Sequence, residues 1–233
     1  MKQLAFYFFA VLTISSCNQR TGSGNIVTEK RHTGDFTGIS AGGAFEVEVK
    51  IGAVTEVTVE ADDNVIGDIE TVVSGNELKI RTKSGAGFNN AHFKVFVTAP
   101  EINTIHSSGA ADIKVNDQLK SREKITLEAS GAAHLSASVD APEISADASA
   151  AANMEISGKT RDYTAEVSGS ANLKSGDLKS ENTDVKVDGA GNAWVHASVS
   201  LKADASGAGN VYYKGGGNVV VKTSGAGNVK NEN

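Results

Sequence analysis

A six-residue phrase occurs seven times between residues 108 and 229 of this chain, and it limits the possible folds more than any other feature. One copy is Ser206–Val211, which reads Ser-Gly-Ala-Gly-Asn-Val. The polar residue that follows the small ones recurs as Asp112, His134, Asn153, Asn172, Asn192, Asn210 and Asn228. From Asp112 it advances by 22, 19, 19, 20, 18 and 18 residues. A phrase at a nearly constant step is typical of a solenoid.

The segments between the phrases alternate apolar and polar residues, as in Tyr163-x-Ala165-x-Val167. Alternation with period two indicates short strands with one buried face. A single unit cannot bury that face, whereas coils stacked about 4.8 Å apart share a narrow continuous core. We therefore predict an all-β, β-helix-like solenoid with repeats of 18–22 residues, right-handed as parallel crossovers usually are.

The earlier residues follow a less regular pattern. Alternating strands are predicted at Phe45–Ile51, Val57–Ala61 and Phe93–Val97. A hairpin is predicted from Ile69–Val73 and Leu78–Arg81, because a loop that contains glycine separates them. We expect a single β-solenoid domain over residues 26–233, with irregular strands in 26–105 and seven regular repeats in 106–233.

The amino terminus has the pattern of an export signal. Lys2 precedes an apolar run that ends at Ile14-Ser15-Ser16-Cys17, and Cys17 is the only cysteine. Residues 1–16 are interpreted as a lipoprotein signal peptide, Cys17 as the lipidation site, and residues 17–25 as a tether. The alternative is an ordinary secretory signal with a chance cysteine. The lipoprotein interpretation predicts a membrane partner through the lipid anchor and an outer-membrane location, on either the periplasmic or the surface side.

Several ordered motifs resemble a known family. They are Gly43-Ala44-Phe45-x-Val47-x-Val49, Val57-x-Val59-x-Ala61-Asp62-Asp63-Asn64, Val95-x-Val97-x-Ala99-Pro100-Glu101-Ile102 and Ser108-Gly109-Ala110-Ala111-Asp112. Their order is similar to that of the head-GIN domain, a family of exported proteins labelled auto-transporter adhesins. The resemblance covers roughly residues 30–230. It implies an all-β, helix-like fold in the cell envelope, and it brings no catalytic residue to this chain.

The small residues of the repeated phrase are typical of a tight corner. The polar residue after them should then stack from coil to coil, which predicts a structural ladder of Asp112, His134, Asn153, Asn172, Asn192, Asn210 and Asn228. Calcium between the coils is the rival interpretation, but the ligand pattern of calcium-binding β-rolls is missing. At Asp62-Asp63-Asn64 we likewise predict a solvated turn and not a calcium loop. No metal and no cofactor is expected.

Two residues beyond the ladder, the side chains should point outward. This row contains Trp194, the only tryptophan, followed in the next coil by Tyr212. Stacking would place the two rings about 5 Å apart as an aromatic platform, with His196 and Lys214 further along the same strands. We therefore predict a ligand site at Trp194, Tyr212, His196 and Lys214. The alternative is an aromatic pair that only stabilises neighbouring coils.

The sequence gives little support for catalysis or for nucleic-acid binding. The five histidines form no metal-spaced pair, and no nucleophile elbow or phosphate loop is present. Acidic and basic residues are mixed at a net charge of −6, which argues against a nucleic-acid partner. We predict a non-catalytic binding or adhesion module for a glycan or protein ligand. The alternatives are an envelope structural or stress-associated protein without a ligand and, less favoured, a β-helix enzyme acting on polysaccharide.

Overall fold

A computed structural model describes residues 19–83 and 87–232 of the chain. The predicted signal peptide and Cys17 lie outside these residues. The described part is built from strands apart from one short 3-10 turn, so the all-β prediction is confirmed. Within the same ranges, no helix has the length and apolar character needed to cross a bilayer.

Residues 19–83 and 87–232 contain twenty strands. The first nine are β1 (Gln19–Thr21), β2 (Ile26–Arg31), β3 (Gly38–Gly43), β4 (Glu46–Ile51), β5 (Glu56–Asp62), β6 (Ile69–Ser74), β7 (Glu77–Thr82), β8 (Gly87–Asn89) and β9 (Phe93–Ala99), with the 3-10 turn at Ile66–Asp68. The others are β10 (Thr104–Gly109), β11 (Asp112–Lys120), β12 (Lys124–Ala129), β13 (His134–Ala148), β14 (Asn153–Gly169), β15 (Asn172–Gly189), β16 (Asn192–His196), β17 (Ser200–Gly207), β18 (Asn210–Lys214), β19 (Asn218–Gly225) and β20 (Asn228–Asn231).

The strands form two stacks, and each coil contributes to both. The front sheet runs β2-β5-β9-β4-β11, then through the first halves of β13, β14 and β15, to β16, β18 and β20. The back sheet runs β6-β7-β3-β10-β12, then through the second halves of the same three strands, to β17 and β19. From β4 and β3 onward every pairing is parallel. The predicted β-solenoid is confirmed, and its parallel register already includes strands before residue 106.

The core is a thin layer between the two sheets. In β14, for example, Met154 and Ile156 point inward from the front sheet and Tyr163, Ala165 and Val167 from the back sheet, all with at most 2 % exposure. The alternation read from the sequence thus places the apolar side chains in one shared interior. Their burial supplies the main driving force for stacking, since no unit could exclude water from this face alone.

The amino-terminal end of the solenoid is closed differently. Here β5 lies antiparallel to β9 and β2 antiparallel to β5, while β6 and β7 form the predicted hairpin with Val73 opposite Leu78. Phe45, Phe93 and Phe88 pack in sequence with ring centroids 5.2 and 5.1 Å apart. These bulky rings fill the wider end of a core that is otherwise built from small aliphatic side chains.

Residues 19–25, expected to be a tether, are bound to the domain. Strand β1 pairs with β8, and Arg20 forms an ion pair of 2.6 Å with Asp68. We call residues 19–25 the strap. Close packing fixes its path, because a Cβ on Gly22 would lie 2.6 Å from the carboxylate of Asp62.

The loop at Asp62-Asp63-Asn64 holds this strap. Asp63 and Asn64 lie in an exposed turn, as predicted, whereas Asp62 is buried and not solvated. Asp62 is only 2 % exposed and accepts hydrogen bonds from the N–H groups of Gly24 and His92. Asp63 accepts from the Ser23 hydroxyl at 2.6 Å, and Asn64 accepts from the Ser23 N–H. The polar side chains of this loop thus bind the strap, which lies about 40 residues earlier in the chain.

Glycine is favoured at the second position of the repeated phrase for two reasons. Gly207 has a φ of +76°, and a Cβ at this position would stand 2.6 Å from the carbonyl oxygen of Gly189 in the preceding coil. The Ala208 N–H donates to that same oxygen at 2.7 Å. The absence of a side chain at Gly207 therefore lets the two coils approach closely enough to form this corner-to-corner hydrogen bond.

Candidate functional site

The seven polar residues after the corners stand in one column on the front sheet. Each is paired in register with the next, from Asp112 opposite His134 to Asn210 opposite Asn228. Three amide-to-amide hydrogen bonds join the middle of the column, from Asn172 to Asn153 (3.3 Å), Asn192 to Asn172 (3.1 Å) and Asn210 to Asn192 (3.0 Å). The amides thus hold one another in a fixed orientation along the stacking direction.

Next to this column, the rings of Trp194 and Tyr212 are stacked on each other. Their centroids are 5.1 Å apart and their planes differ by 13°. The rings come from consecutive coils, so their faces point along the solenoid axis and their edges point outward. Tyr212 therefore covers one face of Trp194, and the other face is directed back toward the preceding coil. The pair does not present a flat aromatic platform to solvent.

Trp194 lines one end of a groove of about 420 Å³ on the front sheet, with Lys174 opposite it in the preceding coil. We call it the Trp194 groove. Six successive coils contribute to its lining, which consists of Val115, Ser136, Ala137, Ser138, Glu155, Ile156, Ser157, Lys174, Gly176, Asp177, Trp194 and Lys214. Its volume is within the range of small-molecule sites. Tyr212 does not line the groove but supports its aromatic wall from behind.

A β-bulge creates the groove. Glu155 pairs with Lys174 and Ser157 with Asp177, so Ile156 faces both Ser175 and Gly176. Ser175 points into the core, in alternation with Leu173, and it is fully buried and accepts a hydrogen bond from the Tyr163 hydroxyl at 3.0 Å. The Ser175 hydroxyl in turn donates to the Trp194 carbonyl oxygen at 2.8 Å.

Gly176 is the other residue of the bulge, and its missing side chain leaves space in front of Trp194. A Cβ built on Gly176 would come no closer than 3.9 Å to another heavy atom, the Cβ of Trp194. Glycine is therefore not needed there to avoid a clash, in contrast to the corner glycines. Its consequence at this position is an open groove floor.

The charges of the groove occur in equal numbers. Lys174 donates to Glu155 at 2.8 Å, and this contact holds the pKa of the Glu155 carboxyl below its ordinary value. Asp177 and Lys214 add one further charge of each sign to the lining. The groove therefore combines a zero formal charge with an aromatic wall and several small polar side chains.

His196 does not join the groove. Its ring lines a separate cleft of about 530 Å³, the far-corner cleft, where the front and back sheets meet opposite the glycine corners. Burial lowers the pKa of the His196 imidazole, and nearby Lys179 lowers it further. Its Nδ1 is buried without a hydrogen-bond partner among the described residues, while its carbonyl oxygen accepts from the hydroxyls of Ser180 and Thr183.

Of the four residues predicted as a ligand site, the structure thus places Trp194 and Lys214 in one groove, Tyr212 behind it and His196 elsewhere. Residues that the sequence reasoning missed are Glu155, Lys174, Gly176 and Asp177. The step of 20 residues from Asn172 to Asn192, against 19 for the preceding coil, was the available signal of the bulge. Within residues 19–83 and 87–232, no group of three or more metal-ligating side chains is suitably placed for an ion.

Comparisons with known proteins agree with this architecture. A family model described as "Putative auto-transporter adhesin, head GIN domain" matches residues 35–217. No curated protein matches the chain.

Solved structures share the fold at low sequence identity. A putative adhesin from Bacteroides fragilis superimposes with a TM-score of 0.83 at 20 % identity, covering 91 % of this chain and all of the other. A putative lipid binding protein from Parabacteroides distasonis gives 0.75 at 19 % identity, with 92 % of this chain and 100 % of the other covered. A putative adhesin from the same organism gives 0.73 at 24 %, with the same coverage. At these identities the likeness concerns the fold.

Proposed function

Because the chain belongs to the head GIN domain family of adhesins, we propose that it is a non-catalytic binding module of the cell envelope that holds a saccharide in the Trp194 groove. A single observation carries the choice of ligand. The half-buried indole of Trp194 is an apolar wall of the groove, set among small polar side chains. Such a combination suits a sugar ring, which has an apolar face of C–H groups and a rim of hydroxyls.

The neighbouring coils give the wall a fixed orientation. Tyr212 supports one side of the indole ring, and the Trp194 carbonyl oxygen is bound to the buried Ser175 hydroxyl. A wall that is already in place needs little ordering when the ligand arrives, which favours affinity. The groove is in this sense prepared for binding and does not need to be assembled by the ligand.

The chemistry of the groove favours binding over catalysis. Hydrolysis of a glycosidic bond needs one carboxyl group with a raised pKa to protonate the leaving oxygen. In the groove, Lys174 lowers the pKa of the Glu155 carboxyl instead. Asp177 is the only other carboxylate of the lining, and Glu155 is not suited to act beside it as the protonated acid.

Attachment to the envelope is part of the same proposal. The export signal and the lipidated Cys17 were predicted from the sequence, and adhesins act at or outside the cell surface. The strap begins two residues after Cys17 and holds its part of the chain against the amino-terminal end of the solenoid. A lipid anchor at Cys17 would therefore be attached close to that end, with the groove several coils away.

The test is a glycan and matrix-protein binding array with the soluble chain from Asn18 onward. Trp194→Ala should abolish binding of the captured glycan, and Tyr212→Ala should weaken it by loosening the wall. Phe96→Ala is the matched control, since Phe96 is another outward-facing aromatic residue of the front sheet, next to Lys94 and outside the groove. A folded Trp194→Ala protein that binds like the wild type would refute the proposal.

A structural envelope protein without a ligand is the competing function. It predicts no captured glycan on the array and a loss of envelope integrity when the protein is deleted. The two functions are separated by Trp194→Ala in cells, because this substitution should remove adhesion while leaving a purely structural role unchanged.

A further inference from the structure

We infer that the saccharide unit held by the Trp194 groove is uncharged, so that neutral hexoses are bound and uronic acids or sulfated sugars are not. This inference rests on the proposed function and specifies its ligand class. It follows from the charges, the free hydroxyls and the position of the aromatic wall.

The groove holds equal numbers of positive and negative side chains. The lining contains two ammonium groups, from Lys174 and Lys214, and two carboxylates, from Glu155 and Asp177. Lys174 is already bound to Glu155 at 2.8 Å, so it is not a free cation for an acidic ligand. Lys214 makes no ion pair among the described residues and is the one ammonium group of the lining left for a uronate. The uronate carboxylate would then lie in a lining that already holds Glu155 and Asp177, and their repulsion offsets that gain.

The net charge of the whole protein also disfavours the binding of acidic saccharides. The chain has a formal net charge of −6, which repels polyanions over distances comparable to the Debye length. A groove with zero formal charge on a negative protein offers no attraction that would overcome this repulsion. An uncharged chain meets no such barrier.

Free hydroxyl groups supply the polar contacts that a neutral sugar requires. The side chains of Ser136, Ser138 and Ser157 line the groove, are partly exposed, and make no side-chain hydrogen bond within the described ranges. Each hydroxyl can both donate and accept, as can each hydroxyl of a hexose. The carboxylates of Glu155 and Asp177 can accept further sugar O–H groups in short charge-assisted bonds.

The aromatic wall completes the arrangement. A pyranose ring that packs against the indole of Trp194 would lie over Gly176 in the groove floor. The serine hydroxyls would then contact the side of the sugar that points away from the indole. The three serines come from the two coils before Lys174, so the polar contacts extend over roughly 10–15 Å along the axis at about 4.8 Å per coil. This length allows further sugar units beyond the one that touches Trp194.

The experiment compares oligosaccharides that differ only at carbon 6. Oligogalactose and oligogalacturonate of the same linkage and length are titrated into the soluble chain by calorimetry, at ionic strengths from about 0.02 to about 0.5 M. We expect the neutral series to bind at least about tenfold more tightly than the uronates. We also expect its affinity to change less than about twofold across the salt range.

Two leucine variants test whether the groove is the site. Gly176→Leu fills the floor in front of Trp194 and should abolish binding, and the fold should tolerate it because the position is sterically open. Gly216→Leu is the matched control, since a side chain at Gly216 also meets no atom within 4 Å and lies outside the groove. Its affinity should equal that of the wild type.

The outcomes separate this inference from the proposed function. Uronates that bind more tightly than galactose oligomers, with affinity that falls as salt is added and is lost in Trp194→Ala, would overturn the uncharged ligand and leave the saccharide module intact. If Trp194→Ala and Gly176→Leu both retain wild-type affinity for every saccharide that the protein captures, the groove is not the site and both proposals fail.

Discussion

Replacing Ala150 by glycine should stabilise the protein. The second residue of the repeated phrase adopts a positive φ at Gly109, Gly131, Gly169, Gly189, Gly207 and Gly225, between 70° and 102°. The third copy has alanine at this position, and Ala150 still adopts a φ of 60°. The hydrogen bonds of the corners above and below hold it there, since the Ala151 N–H donates to Gly131 and the Ser170 N–H donates to Ala150 itself.

The expected gain follows from two opposing terms. A residue with a side chain pays about 1–2 kcal/mol in the left-handed conformation. Glycine avoids this cost but loses about 0.5–1 kcal/mol more backbone entropy on folding than alanine does. The difference is a stabilisation of about 1 kcal/mol, and for a chain of this length it raises the melting temperature by about 2–4 °C.

Thermal and urea unfolding, followed by far-UV circular dichroism, measure the effect. The control is Ala151→Gly, one residue further along the same exposed corner but without a positive φ. It should destabilise by about 0.5–1 kcal/mol, because only the entropic term applies. If Ala150→Gly destabilises the protein as much as Ala151→Gly does, the strain assigned to Ala150 is absent and the reasoning is refuted.

Three further substitutions probe the corners, the strap and the support of the groove. Gly207→Ala should destabilise by at least about 2 kcal/mol in urea unfolding, because the new Cβ would meet the Gly189 oxygen at 2.6 Å in a left-handed conformation; a loss below about 0.5 kcal/mol would contradict the close approach of the coils. Backbone N–H donors, foremost the N–H of His92, hold the pKa of the Asp62 carboxyl below its ordinary value. The carboxylate of Asp62 therefore stabilises the folded protein fully above the unfolded pKa of about 4, and this contribution is lost as the pH falls through the folded pKa. Asp62→Asn should make the free energy of unfolding fall less steeply as the pH is lowered through the acidic range. An unchanged pH dependence would show that Asp62 does not hold the strap as a carboxylate. Ser175→Ala should lower the free energy of unfolding by about 1–3 kcal/mol, because the buried Tyr163 hydroxyl loses its hydrogen-bond partner. Adding Tyr163→Phe should restore part of this loss, whereas strictly additive effects of the two substitutions would show that the two groups are not coupled.

The solenoid could be predicted because its determinants are local in the sequence. The small residues of each corner allow close approach, and the asparagine after them marks the register of each coil, so Asn172, Asn192 and Asn210 could be aligned from their spacing alone. The distance of about 5 Å between Trp194 and Tyr212 followed from the same spacing. The orientation of the two rings did not, because side-chain rotamers depend on contacts with neighbouring coils.

The groove and the strap could not be predicted because they depend on contacts between distant parts of the chain. The bulge at Ser175 and Gly176 appears in the sequence only as a coil that is one residue longer than the preceding one. His196 follows the outward alternation, but it lies where the chain bends toward the other sheet, and its ring therefore enters the far-corner cleft. Asp62 is satisfied by Gly24, 38 residues earlier, and no spacing rule indicates this pairing.

The parallel register has a consequence for how such proteins can change over evolution. Because Asn153 aligns with both His134 and Asn172, removing residues 153–171 as a block would bring Asn172 opposite His134 with every inward side chain still facing the core. Duplication of the same block would lengthen the molecule by one coil, about 4.8 Å. The strap lies at one end of the stack and the wall formed by Trp194 and Tyr212 near the other. Gene duplication within the repeats can therefore extend or shorten the reach of a binding site from its point of attachment in fixed increments, without altering either end.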